Sequence, residues 1–78
     1  MTRKELVQKL QSMYSEAPKK EKSVMIHLFG INYADELREH APLDRLAVDA
    51  GVPASYATEI SKGMRLSRFV DIKHNVKI

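Results

Sequence analysis

The sequence predicts one small, mostly α-helical domain, and three features of the 78-residue chain support this fold class. Apolar residues recur at spacings of three and four in several segments, as they do on one face of an α-helix. Proline and glycine residues separate these segments and mark where helices begin and end. The chain contains no cysteine, so neither disulfides nor thiolate-bound metal can stabilise it. A compact apolar core, or a face buried against a second copy, has to do so instead.

The first predicted helix covers residues 3–15. Thr2 is a suitable N-cap, and Glu5 stands at the position of its capping-box partner. Pro18 ends the helix because it cannot continue the hydrogen-bond ladder. The apolar face consists of Leu6, Leu10, Met13 and Tyr14.

Residues 21–31 allow two interpretations. As a helix, they place their apolar residues on one face, with Gly30 as a left-handed C-cap. As a strand, the short apolar run 24–29 could pair with the tail, residues 64–78. The tail alternates apolar and polar residues around a turn at His74-Asn75, so the second interpretation gives a short β pair and a winged helix.

Three further helices are predicted, over residues 33–40, 43–50 and 54–62. Asn32 could cap the first of them, and Pro42 separates it from the second. Gly51 forms the next turn, Pro53 is suited to a helix N-terminus, and Gly63 closes the last helix.

Residues 43–63 match the requirements of a helix-turn-helix, in which two short helices cross steeply. A small residue is needed where the second helix packs on the first, and Ala47 supplies it. The turn needs a glycine with positive φ, Gly51, followed by an apolar residue, Val52. The second helix presents Ala57 and Ile60 to the interior.

This segment resembles the helix-turn-helix of the lambda-repressor and Cro-like family. The matching residues are Leu46-Ala47, Gly51-Val52, Ser55-Tyr56, Ile60 and the closing Gly63. Ala57 departs from the pattern, since the family usually has Ile or Val there. The rest of the chain resembles short stand-alone bacterial proteins with a helix-turn-helix-like domain.

The resemblance implies a protein that binds double-stranded DNA, such as a transcriptional regulator or an accessory factor. In this family the second helix enters the major groove and its first residues contact base edges. Carried over to this chain, the base contacts are Ala54, Ser55, Thr58 and Glu59, and the phosphate contacts are Lys62, Arg65 and Arg68. About four neutralised phosphates per subunit would give a log–log salt slope near −3 to −4.

The charge distribution supports a nucleic-acid partner but leaves an alternative open. Residues 1–22 and 61–78 are basic, whereas residues 23–60 carry six acids and two arginines. Asp44, Asp49 and Glu59 lie within the motif and would repel phosphate. The alternative is a protein–protein interaction module that uses the same fold without binding DNA.

Other functions find little support in the sequence. The histidines His27, His40 and His74 match no metal-ligand spacing, and no phosphate-binding glycine loop occurs. We therefore expect no enzymatic activity, no cofactor, no metal and no small-molecule ligand. No apolar stretch approaches the roughly 20 residues that span a bilayer. We expect a cytoplasmic protein with a single domain over residues 1–78, and the first helix could form the seam of a homodimer.

Overall fold

Five α-helices and one short 3₁₀ turn form the secondary structure of the computed structural model, which describes residues 1–76 and 78. The α-helices are α1 (Arg3–Glu16), α2 (Lys22–Asn32), α3 (Ala34–Arg38), α4 (Leu43–Asp49) and α5 (Ala57–Leu66), and the 3₁₀ turn covers Ala54–Tyr56. The predicted mostly α fold class is confirmed. Within the described part of the chain, no helix is long and apolar enough to cross a membrane.

The strand interpretation of residues 24–29 is wrong, because these residues lie inside α2. The run is apolar on nearly all sides, and α2 can bury several of its faces because helices pack around it. In the tail, the amide of Val76 donates to the carbonyl of Lys73 at 3.0 Å, so the predicted turn around His74-Asn75 is present. The described tail residues form no strand, and Lys77, part of the predicted hairpin, lies outside the described residues.

Helix α1 begins as the sequence predicts. The amide of Glu5 donates to Oγ1 of Thr2 at 3.1 Å, and the amide of Thr2 donates to Oε1 of Glu5 at 2.8 Å. This capping box satisfies two amides that the helix itself leaves without partners. Its inner face contributes Leu6, Leu10 and Met13 to the core.

The core joins all the helices. Among the residues that the structure describes, eleven buried side chains form one cluster, so no helix depends on local propensity alone. Its members are Leu6, Leu10, Met13, Ile26, Phe29, Leu37, Leu46, Ala47, Ala50, Val52 and Ile60.

Helices α2 and α5 cross in backbone contact at Gly30 and Gly63. A Cβ added to Gly30 would lie 2.9 Å from Cα of Gly63 and would overlap the carbonyl oxygen of Ile60. Both glycines were predicted as helix ends, and both predictions are wrong, since α2 continues to Asn32 and α5 to Leu66. Asn32 is likewise not the cap of α3, which begins at Ala34. The glycines serve a close helix crossing, which brings α5 directly onto α2.

Candidate nucleic-acid interface

The crossing of α4 and α5 has the packing that the sequence predicts for a helix-turn-helix. Gly51 has a φ of +76°, in the left-handed region that glycine adopts without strain. The next residue, Val52, lies in the core and is 2% exposed. Its amide donates to the carbonyl of Ala47 at 2.9 Å. Ala47 and Ile60 are fully buried between the helices, and Ala57 is half-buried. The turn therefore fixes the direction in which α5 leaves the core.

The chain enters α5 through the 3₁₀ turn, which exposes two of the predicted base contacts. Ala54 and Ser55 are both exposed there. The next residue, Tyr56, turns inward, and its ring packs edge-on against Tyr14 of α1 with 5.4 Å between the centroids. Nζ of Lys22 lies 4.4 Å from the Tyr14 centroid and donates to the carbonyl of Tyr14 at 2.7 Å. These contacts anchor the turn that presents Ser55.

The outer face of α5 carries an exposed stripe of three residues. Thr58, Lys62 and Arg65 follow one another at spacings of four and three, which places them on one side of a helix. All three are exposed, and they extend over about 10 Å of helix at 1.5 Å per residue. The stripe, Thr58–Lys62–Arg65, thus presents one hydroxyl and two cations along a single line.

Glu59, by contrast, is held against α2. Nε2 of His27 donates to Oε1 of Glu59 at 2.7 Å, and Nζ of Lys62 donates to Oε2 at 3.3 Å. The His27 hydrogen bond is the largest cause that lowers the pKa of Glu59 below its ordinary value. The carboxylate therefore links α2 to α5 and partly neutralises the charge of Lys62.

The other two acids of the motif differ in their partners. Asp49 of α4 forms a 2.6 Å salt bridge with Arg3 of α1. The carboxylate of Asp44 accepts a hydrogen bond from the amide of Arg45 at 2.9 Å. Two of the three acids, Asp49 and Glu59, are thus paired with basic side chains, which weakens the repulsion they would exert on phosphate.

Arg68 does not line the same depression as the two cations of the stripe. It lines a groove beside α3 together with Asp35 and Arg38, which pair with each other. Lys62 and Arg65 instead line a shallow depression together with Leu66 and Phe69. The structure therefore brings two of the three predicted phosphate contacts together and places the third on a neighbouring surface.

Sequence reasoning missed two residues at this surface. His27 lies 32 positions before Glu59, and no local pattern links them. Phe69 is 76% exposed, and its ring centroid lies 5.5 Å from the guanidinium carbon of Arg68. The sequence does contain a pattern that indicates a role for Phe69, because it directly follows Arg68. Cations interleaved with an aromatic residue are typical of nucleic-acid-binding surfaces.

The crossing and its exposed stripe define a helix-turn-helix type of domain. The chain belongs to the family of the HTH-like domain, whose family model matches residues 2–73. This family suggests a DNA-binding role in general. Neither the curated proteins nor the solved structures contain a significant match to the chain.

Proposed function

We propose that this protein binds double-stranded DNA and acts as a bacterial, cytoplasmic transcriptional regulator or accessory factor. One observation carries the proposal: the second helix of a helix-turn-helix crossing exposes the stripe Thr58–Lys62–Arg65. Proteins with HTH-like domains are typically not enzymes, so we propose no catalytic activity. We also propose that residues 1–78 form one domain with the motif at residues 43–63, related to the lambda-repressor and Cro-like family.

Base contacts come from the turn and the first part of α5. The hydroxyls of Ser55 and Thr58 can donate or accept hydrogen bonds, and the methyl group of Ala54 can contact the methyl of thymine. Glu59, the fourth predicted base contact, would have to release His27 and Lys62 before its carboxylate could accept a hydrogen bond from a base. Since this set includes no arginine or asparagine, we propose modest sequence specificity.

Phosphate contacts come from the stripe. Lys62 and Arg65 are exposed on the same face as Thr58, where they can reach the backbone that flanks the groove. Arg68, beside α3, contacts a more distant phosphate. In a homodimer on a two-fold site these contacts would double, and sedimentation with and without DNA measures that stoichiometry.

Neutral variants of the two cations test the proposal. Lys62→Gln together with Arg65→Gln should weaken binding to a randomised duplex pool at low salt. Each lost phosphate contact should also reduce the log–log salt slope by about 0.9. Glutamine is preferred over glutamate at position 62, because a second carboxylate would repel Glu59.

The matched control is Lys19→Gln with Lys20→Gln. It removes the same charge from two exposed residues between α1 and α2. The control should bind nearly as tightly as the parent, and both double variants should keep their helical content. Unchanged affinity and slope in the Lys62/Arg65 variant would refute the stripe as the phosphate-contacting surface. A parent protein that binds no duplex at low salt would refute the proposal and favour a protein-binding role.

A further inference from the structure

The stripe on α5 continues into an exposed apolar patch. The chain keeps turning beyond Leu66, since the amides of Phe69 and Val70 donate to the Leu66 carbonyl at 2.9 and 3.1 Å. Leu66, Phe69 and Val70 are 41%, 76% and 45% exposed. Three neighbouring exposed apolar residues, bordered by polar residues, form a candidate contact patch.

Three cations lie beside Leu66 and Phe69 in this patch. Lys62 and Arg65 line the same depression as Leu66 and Phe69, and Arg68 lies beside the Phe69 ring. Phe69 follows the end of α5 and lines the depression that Arg65 lines, so it lies next to the Arg65 end of the stripe. A ligand that lies along this stripe therefore covers Phe69 as well.

The charges identify what can cover the patch. A second copy of the chain, docked symmetrically, would bring two sets of three cations together in a poorly solvated interface. A polyanion with planar apolar faces can contact both the cations and the apolar patch. Single-stranded nucleic acid has this chemistry, because its phosphates pair with cations while its bases stack on aromatic side chains.

We infer that Phe69 stacks on an exposed nucleobase while Lys62 and Arg65 contact the phosphates beside it. The end of α5 is thereby a site for an unpaired base, either in single-stranded DNA or in a locally opened duplex. The inference rests on the proposed function, because the same two cations serve both. It adds a class of DNA structure that the helix-turn-helix alone does not select.

Variants of Phe69 separate stacking from simple apolar burial. Phe69→Leu keeps an apolar side chain of similar size but removes the aromatic face. It should weaken binding to a labelled oligothymidine of about 15 nucleotides by roughly 5- to 150-fold. Phe69→Tyr should bind like the parent. Phe69→Trp creates the only tryptophan of the chain, and stacking on thymine should quench its emission.

The probe has three arms: the single strand, a fully paired duplex of the same length, and that duplex with one unpaired thymine. We expect Phe69→Leu to weaken the first and third arms more than the second. Val48→Ala is the control, since Val48 is a 55% exposed apolar residue on α4. It should bind all three probes like the parent. The unfolding midpoint should not change in Phe69→Leu, because the ring is largely in water.

Two results would overturn the inference. One is equal affinity of Phe69→Leu and the parent for the single strand, which would instead favour an apolar protein partner. The other is unquenched tryptophan emission at saturating oligothymidine. If paired-duplex binding persists and still depends on Lys62 and Arg65, only the inference fails. If no arm binds at low salt, the proposed function fails with it.

Discussion

Replacement of Gly63 by alanine tests whether backbone contact between α2 and α5 fixes the position of the proposed DNA-binding helix. The added Cβ would lie 2.9 Å from Cα of Gly30 and 3.1 Å from the carbonyl carbon of His27, and it would overlap the His27 carbonyl oxygen. All three atoms belong to the backbone of α2. No side chain can rotate to make room, so the two helices have to separate.

Two opposing effects set the size of the change. Inside a helix, alanine is more favourable than glycine by about 1 kcal/mol. Overpacking of a tight interior costs about 1–3 kcal/mol, and the upper part of that range applies where backbone atoms collide. We therefore expect Gly63→Ala to lower the free energy of unfolding by about 1–2 kcal/mol. For a domain of this size the midpoint then falls by roughly 4–16 °C.

Thermal unfolding followed by far-ultraviolet circular dichroism measures this shift. Gly30→Ala should shift the midpoint in the same direction, because it meets the same crossing from the other side. Gly51→Asn is the control: no atom lies within 4 Å of its Cβ position, and asparagine tolerates the positive φ. A midpoint that rises in Gly63→Ala would refute the reasoning, since helix propensity would then outweigh the contact.

Three further predictions test other parts of the structure. Thr2→Ala should lower the free energy of unfolding by about 1 kcal/mol in urea denaturation, and Thr2→Ser, which keeps the hydroxyl, should not; equal stability of both variants would contradict the capping box. Leu10→Ala removes a fully buried side chain and should cost about 2–5 kcal/mol; a loss below 1 kcal/mol, by the same scale, would mean that the core is not closed there. The depressed pKa of Glu59 stabilises the fold above the ordinary value of 4.5, and this contribution is lost as the pH falls through the lower folded value. Glu59→Gln should therefore be less stable than the parent at neutral pH and approach it in acid, whereas a constant difference across pH would refute the His27–Glu59 link.

The parts of the fold that local signals encode were predictable. Thr2 and Glu5 cap each other three residues apart, and Ala47, Gly51 and Val52 lie within six consecutive positions. Such patterns are sufficient to predict the local backbone structure, because each partner lies within a few positions of the other. The structure reproduces them.

The glycines show that local sequence patterns do not always reveal the role of a residue. A glycine that ends a helix and one that permits a close crossing are the same residue in a sequence. Gly51 has a positive φ, whereas Gly30 and Gly63 lie within helices and each packs against the other's helix, 33 positions away along the chain. Residues 24–29 were ambiguous for a related reason: a short, mostly apolar run fits both a buried helix and a strand.

The sequence could predict which residues of the candidate site are exposed, but it could not predict their hydrogen-bond and ion-pair partners. Periodicity alone places Thr58, Lys62 and Arg65 on the outer face of α5. It cannot show that Glu59 turns towards α2, because His27 comes from a distant segment. The separation of Arg68 from the stripe likewise depends on how α3 packs beside the end of α5.

The edge-on pair of Tyr14 and Tyr56 gives the protein an optical probe of its own. The chain has three tyrosines and no tryptophan, so its near-ultraviolet emission comes from tyrosine alone. Tyr56 directly follows exposed Ser55, and its ring lies 5.4 Å from that of Tyr14. Any ligand that displaces the turn alters the surroundings of both rings. Titration of the unlabelled parent can therefore detect occupancy at the start of α5 without a dye or a substitution.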